Sequence, residues 1–350
     1  MKTTTHLYFL DNLRVALIVL VIAHHVGQAY GPTGGWWPIQ EATRSAVLGP
    51  FFTVNRSFFM SLFFMIAGYF TVMSLDRRGP RAFIKERFLR LGIPVLIFAL
   101  VMIPLQLFVF PSHSAWPVDV AHLWFLEHLL IFSAVYTLWR MISKSDDEQK
   151  TQANPPGYVR IVVFAFLLAI VSAVVRIWFP IDRWVYLLGF IKVAFADVPR
   201  DLSFFIIGLV AYRQNWILRF PKKDGFVWLS IGVTLAVAWY VYALVGKDFL
   251  PLTDIQLGIV YPIWESLLCC GMCIGLTVLF REYFNSQGNL GSILAKSQYA
   301  AYIFHVPVVL LFQYLFIGFD LSPFTKFVLV TFLSVPATFL VSKPRKPSGS

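Results

Sequence analysis

The sequence is poor in charge. Only 13% of its 350 residues are Asp, Glu, Lys or Arg, whereas 58% are hydrophobic and the mean hydropathy is +0.70. A soluble domain of this length does not need so much apolar surface, so this composition excludes an ordinary soluble globular protein. Several apolar stretches reach the roughly 20 residues that a helix needs to cross a bilayer. We therefore predict an all-α polytopic membrane protein whose principal partner is the lipid bilayer.

Cysteine is also scarce. The three cysteines all fall in one apolar segment, "ESLLCCGMCIG" at 265–275, so they cannot form a disulfide framework between distant parts of the chain. We interpret them as small buried residues. The histidines show no metal-ligand spacing, and the sequence has no glycine-rich phosphate loop. We accordingly predict no metal site and no bound cofactor.

Acidic residues are fewer than basic ones, 18 against 29, which gives a net charge of +11. The basic residues lie mostly in short loops between apolar stretches, which is the distribution that orients a membrane protein. A nucleic-acid interface would instead concentrate them on one face. We predict no nucleic-acid partner.

The apolar stretches predict ten transmembrane helices. An arrangement with both termini cytoplasmic places most Lys and Arg residues in cytoplasmic loops, as the positive-inside rule requires. We predict one transmembrane domain over residues 1–342 and a short basic cytoplasmic tail over 343–350. The predicted spans are 8–30, 47–74, 91–110, 121–141, 159–179, 186–212, 226–246, 256–280, 298–318 and 322–342.

The first span contains ionisable residues, which are costly in a membrane and usually mark a functional site. Arg14 and His25 are eleven residues apart, so in a helix they share one face about 16 Å apart along the axis. His24 is turned by roughly 80° from Arg14. Asp11 is three residues before Arg14 and can pair with it across one turn. His25 is thus a better candidate than His24 to share a cavity with Arg14.

Five segments resemble the acyltransferase-3 family of integral membrane O-acyltransferases. They occur in the same order as in the family, and together they extend over nearly the whole chain. The first includes the family's spacing of Arg, ten residues and His, which Arg14 and His25 match and His24 does not. In the second, Ala67 stands where the family more often has Ser. The segments are "YFLDNLRVALIVLVIAHH" (8–25), "FFMIAGYF" (63–70), "FIKERFLRLGIPVL" (83–96), "HLWFLEHLLIF" (122–132) and "SQYAAYIFHVPVVLLF" (297–312).

The resemblance implies a fold of ten membrane helices and transfer of an acyl group, such as acetyl or succinyl, from acyl-CoA to a carbohydrate hydroxyl. Within the family, the sequences of these segments look most like those of the glucan-modifying branch. It also implies a multi-pass protein of the bacterial inner membrane. Acyl-CoA would be a co-substrate, and the carbohydrate acceptor would be extracytoplasmic or membrane-linked. The oligomeric state stays open.

Acyl transfer to a hydroxyl needs a base, and histidine suits this role because its pKa lies near the working pH. We predict His25 as the general base, with Arg14 and Asp11 supporting it. A covalent route through a nucleophilic side chain stays open, although no spacing singles out a Ser or Cys. Arg87 and Arg90 lie three residues apart in a family-like basic motif and are candidates to bind the donor's phosphates, together with Arg14.

Five further residues are candidates for binding the acceptor or supporting the site: His24, Trp124, Glu127, Tyr302 and His305. The alternative function is a proton-coupled membrane transporter that uses the buried His, Arg and Glu residues. Transporters tend to have paired, Gly- or Pro-interrupted helices in two related halves. This sequence shows one interrupted span, at 186–212, and no second copy of it.

Overall fold

The computed structural model describes residues 6–33, 37–109, 119–143 and 153–344, with the side chains of 103–109 left out. Helices dominate these residues, and the only strands among them form one small hairpin. The helices are α1 (Tyr8–Gly27), α2 (Leu48–Arg78), α3 (Pro80–Arg87), α4 (Ile93–Val109), α5 (Trp124–Ser143), α6 (Tyr158–Trp178), α7 (Val198–Arg213), α8 (Trp216–Arg219), α9 (Lys222–Val241), α10 (Lys247–Phe249), α11 (Asp254–Tyr283), α12 (Asn289–Leu315) and α13 (Pro323–Val341).

Short irregular turns extend several of these helices. A π-helical turn at Phe88–Gly92 joins α3 to α4, and another at Tyr242–Gly246 joins α9 to α10. A 3₁₀ turn at Ala121–Leu123 precedes α5. Eight helical segments of the described residues are long and apolar enough to cross a bilayer, which confirms an all-α polytopic membrane protein. They correspond to the predicted spans other than 91–110 and 186–212.

The predicted sixth span, 186–212, differs from the structure. Strands β1 (Val185–Leu187) and β2 (Ile191–Val193) form an antiparallel hairpin there, and Tyr186 pairs with Lys192. β-branched and aromatic residues favour the strands, and Gly189 adopts the left-handed conformation in the turn with φ 79°. Helix α7 begins only at Val198, where Pro199 suits a helical first turn. The helical part of this segment is therefore 16 residues long.

The predicted third span, 91–110, is helix α4, whose 17 residues begin after the π-helical turn. The first span ends at Gly27 rather than residue 30, since the chain turns after Gln28. Ten crossings and cytoplasmic termini stay predictions. Most of the predicted tail, 345–350, lies outside the described residues.

The chain forms two compact units, with a boundary inside α2 after Phe59 and another before Phe220. Unit 1 comprises Met1–Phe59 and Phe220–Ser350. In it α1 packs against α11, α12 and α13, while α9 and α11 form the most extensive helix pair. That pair approaches closely at Gly271, where a Cβ atom would lie 2.8 Å from the backbone nitrogen of Gly232. Small residues allow such contact between membrane helices.

Unit 2 comprises Met60–Arg219. Gly68 of the "FFMIAGYF" segment is needed for packing, because a Cβ atom there would lie 2.2 Å from the carbonyl oxygen of Phe205 in α7. The start of α7 carries a buried charge network: Arg200 contacts Asp197 at 3.2 Å, and Asp201 accepts a hydrogen bond from Ser61 at 2.8 Å. The charged residues that interrupt the predicted span thus compensate one another. The single transmembrane domain predicted over 1–342 is not tested by the division of the chain into these two units and stays a prediction.

Candidate active site

Two imidazole rings meet inside unit 1. His25 lies near the end of α1 and His305 lies in the middle of α12, and the two helices pack against each other. Nε2 of His305 lies 3.3 Å from Nδ1 of His25, and the ring centroids are 4.8 Å apart. His305 is completely buried, whereas His25 is half-buried. Of the predicted acceptor or supporting residues, the structure brings His305 to the predicted base, and Tyr302 contacts His305.

Backbone carbonyls fix the tautomers of both rings. His305 Nδ1 lies 2.6 Å from the carbonyl of Tyr302, and His25 Nδ1 lies 2.9 Å from the carbonyl of Val21. A carbonyl only accepts, so each Nδ1 carries the hydrogen. The single hydrogen on His25 Nδ1 is then shared between the carbonyl of Val21 and Nε2 of a neutral His305, the second contact being the longer one. It follows that the lone pair of His25 is on Nε2, the atom a general base would use.

Trp37 and Gln313 form a further side-chain pair beside the His25 ring, and neither residue is a candidate from the sequence alone. Trp37 donates from Nε1 to Oε1 of Gln313 at 2.7 Å, and its ring centroid lies 5.5 Å from that of His25. Gln313 is buried and donates to the carbonyl of Val26 at 2.9 Å. Gln313 lies eight residues after His305 on α12, so a search for polar residues on the His305 face would have found it.

His24 has a different environment from His25. Its ring lies among the rings of Phe51, Phe52 and Phe59, with centroid distances of 6.3, 5.1 and 5.2 Å. Its Nδ1 is buried and has no hydrogen-bond partner among the described residues. The neighbouring histidines therefore divide into one ring in a hydrogen-bonded pair and one in an aromatic pocket.

Arg14 and Asp11 form the predicted ion pair across one helical turn. Asp11 also contacts Nε2 of His6 at 2.6 Å. The pair lies in the first two turns of α1, so the helical rise separates Arg14 from His25 by about 16 Å. The structure thus places Arg14 and Asp11 at the opposite end of α1 from the imidazole pair.

Arg87 and Arg90 have different environments in unit 2. Arg87 ends α3, donates to Thr71 Oγ1 at 3.3 Å and stacks over the ring of Phe83 at 5.0 Å. Arg90 lies in the π-helical turn, is largely exposed and contacts Glu86 at 3.1 Å. Burial lowers the pKa of Arg87 to about 10, with Glu86 opposing that change, so the guanidinium remains charged at neutral pH.

Glu127 and His128 at the start of α5 hold the β hairpin through its backbone. The Glu127 carboxylate accepts from the backbone N–H of Lys192 at 3.2 Å. His128 Nε2 donates to the carbonyl of Lys192 at 3.1 Å. Both side chains are buried, so this contact explains why two ionisable residues follow Trp124.

An aromatic and charged group surrounds this contact, and we name it the hairpin cluster: Asp119, Trp124, Glu127, Trp184 and Lys192. The rings of Trp124 and Trp184 lie 5.6 Å apart. The ammonium of Lys192 lies 2.7 Å from Asp119 and 4.9 Å from the centre of the Trp184 ring. Trp124 and Glu127 are candidates from the sequence alone; the other three are not, because they come from separate loops and strands.

Cys269, Cys270 and Cys273 are buried in α11, as the sequence predicts. The sulfur atoms of Cys269 and Cys273 lie 3.9 Å apart, and the Cys273 sulfur also lies 3.9 Å from the carbonyl oxygen of Phe58 in α2. Among the described residues, no group of three His, Cys, Asp or Glu side chains is arranged to hold a metal ion.

Comparison with known proteins identifies the family. A family profile described as an acyltransferase domain matches residues 7–343. Similar curated proteins are named Glucans biosynthesis protein C and come from Salmonella paratyphi B, Salmonella dublin and Salmonella enteritidis. Each is 27% identical over 333 residues, which cover 87% of this chain and 83% of the relative. No solved structure matches this chain.

The chain therefore belongs to the acyltransferase-3 family, as the five sequence segments predicted. It is a multi-pass membrane O-acyltransferase and thus an enzyme.

Proposed function

We propose that this member of the acyltransferase-3 family transfers an acyl group from acyl-CoA to a hydroxyl of a carbohydrate, with Nε2 of His25 as the general base. The observation that carries the proposal is the His25–His305 pair. Its two carbonyl contacts leave the lone pair on His25 Nε2. A positioned base of this kind contributes about 10²–10⁴-fold to the rate.

The proposed step is direct transfer. His25 Nε2 takes the proton of the acceptor hydroxyl as its oxygen attacks the thioester carbonyl carbon. The carbon–sulfur bond then breaks, and the CoA thiolate leaves with the proton that His25 returns. The products are the acylated carbohydrate and CoA thiol. His305 supports this step, because a charge that develops on the His25 ring polarises the Nδ1–H bond toward His305 Nε2.

The donor is proposed to bind with its phosphates at the basic segment of unit 2. Arg87 is fixed there by Thr71 and Phe83, and Arg90 extends from the following turn. Guanidinium groups bind phosphate through two parallel hydrogen bonds, so two of them close together suit a nucleotide that carries several phosphates. Arg14 is proposed to contact the donor beyond its nucleotide.

The acceptor is proposed to be a carbohydrate because the hairpin cluster has the groups that bind sugars. Aromatic rings offer flat apolar faces to the C–H side of a sugar ring, while carboxylates and an ammonium bind its hydroxyls. The name of the similar Salmonella proteins points in the same direction, toward glucans. We propose the inner membrane of a bacterium as the location.

An assay with purified protein tests the proposal. Labelled acetyl-CoA and succinyl-CoA are offered separately with an oligosaccharide glucan, and the product is analysed by mass spectrometry. We expect a mass increment of one acyl group on the glucan with one of the two donors. The absence of such a product with both donors, from folded protein, would reject this donor and acceptor assignment. His25→Ala protein serves as the control for catalysis by the site.

A further inference from the structure

Four hydroxyl side chains of α13 and its C-terminal edge have buried oxygen atoms without a hydrogen-bond partner among the described residues. They recur every three or four positions, which places them on one stripe of the helix. Ser334 and Thr338 are 0% exposed and Ser342 is 6% exposed. The four, which we name the hydroxyl stripe, are Thr331, Ser334, Thr338 and Ser342.

Several hydroxyls of other helices bond to the backbone, although the hydroxyl of Ser133 in α5 is also buried without a hydrogen-bond partner among the described residues. Ser57, Thr137 and Thr277 each donate to the backbone carbonyl four residues earlier, at 2.7–2.8 Å. This bond is the usual way for a membrane helix to satisfy a hydroxyl. Unpartnered buried polar groups are rare and costly, so several along one face call for a partner that the folded chain does not supply.

The stripe faces the helices that carry the imidazole pair. Buried Val330 and Lys326 lie on the same side of α13 as Ser334, and α13 packs against α1 and α12. Phe327, in the first turns of α13, packs near Gly27 at the end of α1, where an added Cβ atom would lie 3.6 Å from the Phe327 ring. The start of α13 is therefore near His25, and Ser342 lies toward the opposite end of α1.

The hydroxyl stripe is as long as the segment of α1 between His25 and Arg14. Thr331 and Ser342 are eleven residues apart, or about 16 Å along a helix, as are His25 and Arg14. Polar groups spaced along this length suit an extended, narrow ligand that has hydrogen-bonding groups at intervals. A compact ligand would engage one or two of them.

We propose that the hydroxyl stripe binds the amide-bearing arm of the acyl thioester and guides it along α1 to the imidazole pair. The arm of acyl-CoA carries two amides, each with one N–H donor and one C=O acceptor, and a hydroxyl can serve either group. This inference rests on the proposed function, because it takes acyl-CoA as the donor. It adds the residues that would position the donor's reactive end.

Donor kinetics test the proposal. Thr338→Val and Ser334→Ala are compared with two donors, acyl-CoA and acyl-pantetheine, which keeps the arm and lacks the nucleotide. The loss of one hydrogen bond should raise KM about threefold to tenfold for both donors. Two controls are Phe332→Leu, a 76% exposed position on the same helix, and Ser230→Ala, whose hydroxyl bonds to Phe226. Neither control should change KM.

A labelling experiment separates the donor arm from water. Ser334→Cys and Thr338→Cys are treated with a small water-soluble thiol reagent, and the wild type, whose three cysteines are buried, gives the background. We expect labelling that acyl-pantetheine prevents. Labelling without protection would mean that the stripe holds water alone, and no labelling would mean that it is closed; either result overturns the proposal. Wild-type protein inactive with acyl-CoA would instead reject the proposed function.

Discussion

Nε2 of His305 lies 3.3 Å from Nδ1 of His25, although the two residues are 280 positions apart in the chain. One ring comes from the first helix and the other from the twelfth, so the pair exists only when α1 and α12 are packed. Packing of the two helices thus makes one hydrogen-bonded pair of two histidines that are separate in the sequence, with His25 as the donor and His305 as the acceptor. The first two predictions concern that pair.

His25 should be essential for turnover. In His25→Ala or His25→Asn protein, kcat should fall by about 10²-fold or more, because the base that takes the hydroxyl proton is lost. The measurement is steady-state acyl transfer at equal amounts of folded protein, with folding checked by the elution profile in detergent. Activity equal to wild type would remove His25 from the mechanism.

The matched control for this variant is His24→Ala. The His24 ring lies among three phenylalanine rings and makes no hydrogen bond through Nδ1 to the described residues, so its removal should lower kcat less. It should instead lower the thermal stability of the protein, because a cavity remains among the rings. A loss of turnover at His24 alone would mean that the wrong ring was chosen.

His305 should act through His25. His305→Phe retains a ring of similar breadth but cannot accept from His25 Nδ1, and kcat should fall about tenfold with little change in donor KM. The double variant His25→Ala, His305→Phe should be no slower than His25→Ala alone, since the supporting ring has nothing left to support. Additive losses would show that His305 has a separate role.

The sequence predicts the helical class, and eight of its ten predicted spans match long apolar helices of the described residues, because long hydrophobic runs have few alternatives in a membrane. It fails at 186–212, because the apolar residues of the two strands cannot be distinguished by hydrophobicity from the start of a membrane helix. Pro199 and the charged residues around it, Asp197, Arg200 and Asp201, are the sequence signs of the interruption. It identifies His25 by its spacing from Arg14, a local relationship. Lys192 escapes it because its partners lie far away in sequence, and such contacts exist only after packing. Gln313 could have been found from its place on the His305 face of α12, but its contacts with Trp37 and Val26 could not.

Arg87 and Arg90 should differ in their effect on the donor. Arg87→Ala should raise the KM for acyl-CoA more than Arg90→Ala does, because the first side chain is fixed by Thr71 and Phe83 while the second is exposed. Acyl-pantetheine, which has no nucleotide, should show no difference between either variant and wild type. An unchanged KM for acyl-CoA in both variants would leave these arginines the role of orienting the membrane helices.

The orientation of the helices can be tested at the two ends of one span. Lys222 and Lys247 flank the apolar segment Lys222–Phe249, and the charge distribution predicts Lys222 on the cytoplasmic side. Lys222→Cys should react with a membrane-impermeant thiol reagent in inverted vesicles, and Lys247→Cys in intact cells. Reaction of both positions from one side would contradict the predicted orientation. Similar tests at Ser112 and Asp147 concern residues outside the described part of the chain.

The hairpin cluster should determine acceptor binding. Trp184→Ala removes the ring that faces both Trp124 and Lys192, so KM for the glucan should rise about tenfold while KM for acyl-CoA stays constant. The control is Leu188→Ala at the exposed tip of the same hairpin, which contributes no polar group or aromatic ring to the cluster. If the KM for the glucan is the same in the two variants, the hairpin has a structural role and does not contact the acceptor. If Trp184→Ala instead raises the donor KM, the cluster belongs to the donor site, and the carbohydrate binds elsewhere.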